Sequence, residues 1–143
     1  MAEIITEPKE LIAAFVAVRQ GAKPDAPWGS YSAIGLKRDG RLVAGVIYNS
    51  NESANICMHV GAEDGSKWMT RDFLYACFYY PFEQLGKRRV TACIRSGNKK
   101  AADFVENLGF KYEARLPHWY GEEDMLVYGM LRERCRFLEK KAA

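Results

Sequence analysis

The sequence predicts a mixed α/β (α+β) protein: a largely antiparallel central sheet with helices on both faces. Three observations predict it. Apolar residues recur at helical spacing in segments 11–18, 73–85 and 101–108. Runs with strand character lie between these segments, and Asp39-Gly40, the strongest short hairpin signal, joins two of them. The order that results is helix, strands, helix, strand, helix, strands, without an internal repeat. At 143 residues and 48% hydrophobic content, the chain fits a single domain (1–143) whose core needs no metal or disulfide staple.

Residues 2–6 read as a short first strand. Glu7-Pro8 then opens a helix, with proline near the first helical position, where its missing N–H costs little. Leu11, Phe15 and Val18 form its expected buried stripe. Gly21 ends it, and residues 21–30, with two prolines and two glycines, form a loop. Trp28 in that loop reads either as a lid over a pocket or as a plug at the edge of the core. Segments 31–37 and 42–48 flank the hairpin turn Arg38-Asp39-Gly40-Arg41. A second polar turn, 49–53, leads to a third strand, 55–61. Gly35 and Gly45 inside these strands mark bulges or points of close backbone approach. After a loop at 62–67, a long helix starts at Thr70, and Pro81 is expected to kink it or tighten its last turn.

Val90, Ala92 and Ile94 alternate as a strand, while Ala101, Phe104, Val105 and Leu108 follow at helical spacing. Asn98 between them is a good helix N-cap, and Gly109 sits where helices commonly end in the left-handed region. Segments 110–116 and 124–131 read as two last strands, joined by a loop at 117–123.

The composition excludes several classes. Two histidines and four dispersed cysteines give no spaced metal set; buried, reduced thiols are the default for Cys57, Cys77, Cys93 and Cys135, which points to a cytoplasmic setting. The acidic N-terminus is unlike a secretory signal, and no apolar run is long enough for a bilayer. The formal charge of +3 equals that of the basic tail, 132–143, alone, so no distributed basic face argues for nucleic acid. A Walker loop, a G-x-G-x-x-G fingerprint and a nucleophile elbow are all missing.

The run from Phe82 to Tyr128 resembles the C-terminal half of GNAT-superfamily N-acetyltransferases. The matching pieces are F-x-x-L-G before RRVTACI, then N-x-x-A-A-x-F-x-x-x-L-G-F from Asn98, then Glu113, Asp124 and Tyr128. Within the superfamily the pattern is most similar to the ribosomal-protein acetyltransferase branch. The resemblance implies acetyl-CoA as acyl donor, held where a parallel pair of strands, 55–61 and 89–94, splays apart. It also implies an amine acceptor, on a small molecule or a protein; a homodimer is left open. The unpaired backbone groups of Met58, His59 and Val60 would bind the pantetheine arm like an added strand. Asn98 would add a hydrogen bond to that arm while capping its helix.

The family's pyrophosphate loop, Q/R-x-x-G-x-G/A, falls on Gly65-Ser66-Lys67-Trp68-Met69-Thr70, where Trp68 replaces the first required glycine. Two readings follow. In one, Lys67, Trp68, Met69, Thr70 and Arg71 bind the phosphates along another path, with charge and the helix dipole replacing some amides. In the other, Trp68 blocks the site and the fold serves as a silent binding module. The position often occupied in the family by a proton-donating tyrosine is Val105, so the thiolate would leave unassisted, take a proton from water, or use Tyr112 or Tyr128 as the candidate acid. His59 is the candidate base, with Glu63 and Glu113 as alternatives. The N–H of Val60 is the expected oxyanion donor. Trp28, His118, Trp119 and Tyr120, with Asp25, Glu122, Glu123 and Asp124 as an acidic rim, would form the acceptor site.

Overall fold

The computed structural model describes residues 1–138. The expected basic tail is seen as two short 3-10 turns, Arg132–Arg134 and Arg136–Leu138; its residues 139–143 lie outside the described part. Seven strands form one sheet: β1 (Ala2–Ile5), β2 (Tyr31–Arg38), β3 (Arg41–Glu52), β4 (Asn55–Ala62), β5 (Arg89–Arg95), β6 (Lys111–Leu116) and β7 (Met125–Leu131). Their spatial order is β1-β2-β3-β4-β5-β7-β6, and only β4–β5 is parallel. Helix α1 (Lys9–Arg19) packs on one face, while α2 (Arg71–Tyr79) and α3 (Lys99–Leu108) cover the other. The expected mixed, largely antiparallel architecture is therefore present.

The β2–β3 hairpin turns through Asp39 and Gly40, with φ of 54° and 84°, as a two-residue type I′ turn requires. The second turn is shorter than expected. β3 continues to Glu52 across a register shift after Asn49, and only Ser53 and Ala54 reverse the chain.

The buried stripe of α1 differs from the expected one. Leu11 and Val18 are about half exposed, and Ile12, Ala13, Val16 and Ala17 face the sheet instead. The sheet surface explains the rotation. A Cβ on Gly45 would come within 2.9 Å of both Ile12 and Val16, and one on Gly61 within 3.0 Å of the Val16 backbone. A floor of glycines lets α1 settle so close that the smaller stripe fits best.

Thr70 caps α2, its Oγ1 accepting the Phe73 N–H at 3.2 Å. Pro81 widens the end of this helix where tightening or a kink was expected: Tyr80–Gln84 form a π turn, closed by Leu85 N–H to the Tyr80 carbonyl at 3.0 Å. Proline lacks the N–H that would serve the Cys77 carbonyl four residues back. The fully buried Tyr48 hydroxyl donates to that carbonyl at 2.6 Å. On the same face of the sheet, Asn98 Oδ1 accepts the Ala101 N–H at 3.1 Å, so Asn98 caps α3, and Gly109 ends that helix in the left-handed region.

Candidate active site

β4 and β5 pair at only three positions, Asn55 with Arg89, Ile56 with Val90 and Cys57 with Thr91. Beyond Cys57 and Thr91 the strands part, and a cleft of about 890 Å³ opens between them and runs to both faces of the sheet. Paired residues of neighbouring strands share a face, so register assigns each side. His59 and Cys57 lie opposite Ile47 and Asn49, on the α1 face, and Thr91, Cys93 and Arg95 follow them. Met58, Trp68, Ala92, Phe104 and Val105 make the other side, which is almost wholly apolar.

The same register assigns the backbone. Glu63 N–H donates to the Val43 carbonyl, so in this antiparallel pair the groups of residues 57, 59 and 61 turn to β3. The backbone of His59 is thus spent inside the sheet, contrary to expectation. The Met58 carbonyl and the Val60 N–H face the cleft. The Val60 carbonyl accepts the side-chain amide of Gln20 at 3.0 Å, a partner from the end of α1 that no motif announced.

The His59 side chain is held from two directions. Its ring lies 5.1 Å from that of Trp28, and Nε2 is 2.8 Å from Asn49 Oδ1. The Asn49 amide nitrogen donates to the Trp28 carbonyl at 3.1 Å, so its oxygen must face His59 and His59 Nε2 must carry the proton. That leaves Nδ1 with the lone pair. Burial pushes the His59 pKa down to about 4, so the ring is neutral at neutral pH. Trp28 combines both expected roles: it packs against the small core under α1 and it lines the cleft.

Two of the cysteines are not buried. Cys57 and Cys93 are half-buried on the α1 face, where a hydrogen bond from the Cys93 thiol holds the Cys57 pKa below its ordinary value and raises that of Cys93. The Cys77 and Cys135 thiols are buried, as expected.

Trp68 turns into the cleft, its ring 6.1 Å from Phe73 and 5.2 Å from Phe104. Of the five residues expected around the pyrophosphate, Trp68 alone lines the cleft; Lys67, Met69, Thr70 and Arg71 sit outside it. Arg38 anchors the loop by donating to the Ser66 and Lys67 carbonyls. Asn98 lines the cleft beside the start of α3.

Several candidates lie elsewhere. Tyr112 and Tyr128 pack edge to face against each other away from the cleft, and the Tyr128 hydroxyl donates to Glu106 at 3.1 Å. Tyr120 is the tyrosine that lines the cleft, and burial raises its pKa. His118 and the exposed Trp119 also fall outside; the His118 ring bonds the Gly121 carbonyl within its own turn. Glu63 reaches the cleft but is held by Arg41 at 2.5 and 2.9 Å, which keeps its pKa below the usual range and makes it a poor base. Glu113 is bound to Arg89 at 2.7 Å. Asn49, Gln20, Arg19 and Arg95 were missed. Only pairing register and the end of α1 bring them here, and neither has a local sequence signal.

No protein-family model matches the chain, and no curated protein sequence matches it. Solved structures match in shape. Spermidine N-acetyltransferase from Vibrio cholerae, in complex with CoA and spermine, has a TM-score of 0.73 at 14% identity, over 96% of this chain and 98% of that one. A GNAT-family protein from Desulfovibrio desulfuricans has 0.71 at 15%, over 92% and 99%. A mutant form of the Vibrio cholerae spermidine/spermine N-acetyltransferase SpeG has 0.63 at 15%, over 73% of this chain, which spans 66% of that one. At such identities shape is what is shared: the chain has the fold of the GNAT acetyltransferases, with the splayed parallel pair at its centre.

Proposed function

We propose that the protein is an acetyl-CoA-dependent N-acetyltransferase that passes an acetyl group directly to a primary amine. One observation carries this reading: a cleft that crosses the sheet, with free backbone groups and apolar walls on one side and a neutral histidine on the other. The residues fit the donor's arm. Met58 carbonyl offers an amide-bearing chain a rung that β5 no longer supplies, and Asn98 keeps its amide hydrogens free while its oxygen caps α3. Bound there, acetyl-CoA supplies an activated acetyl thioester. Val60 N–H is the donor for negative charge developing on an acyl oxygen. His59 Nδ1 takes a proton from the amine, and Tyr120 returns one to the departing sulfur.

The solved neighbours that act on spermidine support an amine acceptor. The residue pattern similar to the ribosomal-protein branch supports a protein amine. Trp68 favours a second reading, a silent module, because its ring occupies the space beside Phe73 and Phe104 where the family places bare backbone. Titration calorimetry with acetyl-CoA and desulfo-CoA decides. Binding is expected, weakened about fivefold or more in Asn98→Ala if one hydrogen bond of about 1 kcal/mol is lost. An absence of heat at millimolar ligand, restored in Trp68→Gly, would establish the silent module instead.

A further inference from the structure

On the α1 face the cleft is rich in donors, and the two acids that line it, Glu63 and Asp64, are paired with other cations. Glu63 is taken by Arg41 and Asp64 by Lys100 at 2.7 Å. Glu123 accepts the Gly97 N–H at 2.9 Å and approaches Arg95 only at 4.0 Å. Asp124 is held by Arg115 and by the His118 N–H. Two of the four acids expected as a rim, Glu123 and Asp124, are therefore spent on loop structure, while Asp25 and Glu122 are exposed and do not line the cleft.

What remains facing the cleft is cationic. Arg19 lines the cleft with its guanidinium over the Phe15 ring at 4.8 Å; it helps lower the pKa of Glu63 and of Asp64 but makes no ion pair among the described residues. Arg95 lies over the Tyr120 ring at 4.2 Å, its side chain half exposed. Trp28, beside His59, holds its indole N–H buried without an acceptor. A guanidinium and an indole N–H can only donate. All three groups therefore call for acceptor atoms, and the arginines for negative charge in forked geometry.

Resting on the transferase reading above, we infer that the acceptor is a small amine that also carries a carboxylate, of the amino-acid class, and that Arg19 and Arg95 flank its carboxylate. A polyamine would bring further cations against two arginines whose neighbouring carboxylates are paired with other cations or stand as far off as 4.0 Å. A carboxylate answers both arginines and leaves the amine end for His59. The preference would thus be opposite to that of the spermidine enzymes that share the fold.

The test has two arms. In the first, glycine, glutamate and spermidine are titrated in turn into ¹⁵N-labelled protein, and the Trp28 indole and arginine Nε resonances are followed. Glutamate or glycine should move them in the wild type and leave them unmoved in the Arg19→Ala/Arg95→Ala double variant. Shifts from spermidine alone, or from none of the three, overturn the inference without reference to activity. In the second arm, acetylation of the better amino acid is assayed. Arg95→Ala should raise KM about tenfold or more, as loss of one charged hydrogen bond implies, while acetyl-CoA affinity by calorimetry stays unchanged. If acetyl-CoA affinity falls instead, Arg95 serves the donor and the inference fails. If the wild type binds no acetyl-CoA at all, the transferase reading fails, and the first arm alone decides whether the anion site exists.

Discussion

Tyr48 shows how one side chain can absorb a backbone irregularity. Its ring is fully buried against the edge of Tyr80, at 4.9 Å between centroids, and its hydroxyl serves the carbonyl that Pro81 leaves without a partner. Tyr48→Phe keeps the packing and removes the donor. A buried carbonyl left unsatisfied costs about 1–3 kcal/mol, so a urea denaturation midpoint lowered to that extent, at unchanged slope, is expected. A change of less than a few tenths would mean that the π turn satisfies this carbonyl in another way. Pro81 itself was visible in the sequence, but the direction of its effect was not. Whether a proline tightens or widens a helix end depends on what can reach the stranded carbonyl, and Tyr48 lies 29 residues before Cys77.

Between elements, the contact of α1 with the sheet is set by glycines. Gly45→Ala would place its Cβ 2.9 Å from both Ile12 and Val16, closer than real contacts allow, so α1 must lift or its side chains leave their rotamers. Overpacking of this kind costs about 1–3 kcal/mol. The loss should appear in thermal unfolding, and it should carry to the site, because Gln20 at the end of α1 reaches the Val60 carbonyl. An unchanged midpoint would show that α1 is less closely seated than the structure has it. The sequence marked Gly35 and Gly45 as points of close approach and still placed the buried stripe on Leu11, Phe15 and Val18. Larger residues dominate a periodicity count, whereas a flat glycine floor rewards the smaller stripe.

Across the whole molecule, the neutral, partly buried His59 couples stability to pH. Its folded pKa is about 4, against 6.5 for an unperturbed histidine. Between these values the unfolded chain binds more protons, so this contribution is complete above pH 6.5 and is lost progressively as pH falls through 4. Cys57, whose pKa is lowered from that of an ordinary thiol, adds stability at higher pH, so the comparison belongs below pH 6. Urea unfolding of the wild type should fall more steeply from pH 6 to 4 than that of His59→Gln. Parallel curves would mean that His59 titrates normally in the folded state.

The fold was largely legible in the sequence because its signals are local. The Asp39-Gly40 turn, the Thr70 and Asn98 caps and the Gly109 stop each act within a few residues, and together they place most of the elements. The candidate site was legible only in part. His59, Trp68, Asn98, Trp28 and Tyr120 reach the cleft; Tyr112, Tyr128, His118 and Trp119 do not. By itself, the sequence determined the order of strands and helices and the strand pair with the histidine, since periodicity and capping are written in neighbouring residues. Tertiary structure alone decided that Asn49 fixes the histidine tautomer and that the acids lining the cleft, Glu63 and Asp64, are already paired. It also decided which arginines remain, because partners dozens of residues apart meet only once strand register and the seat of α1 are set.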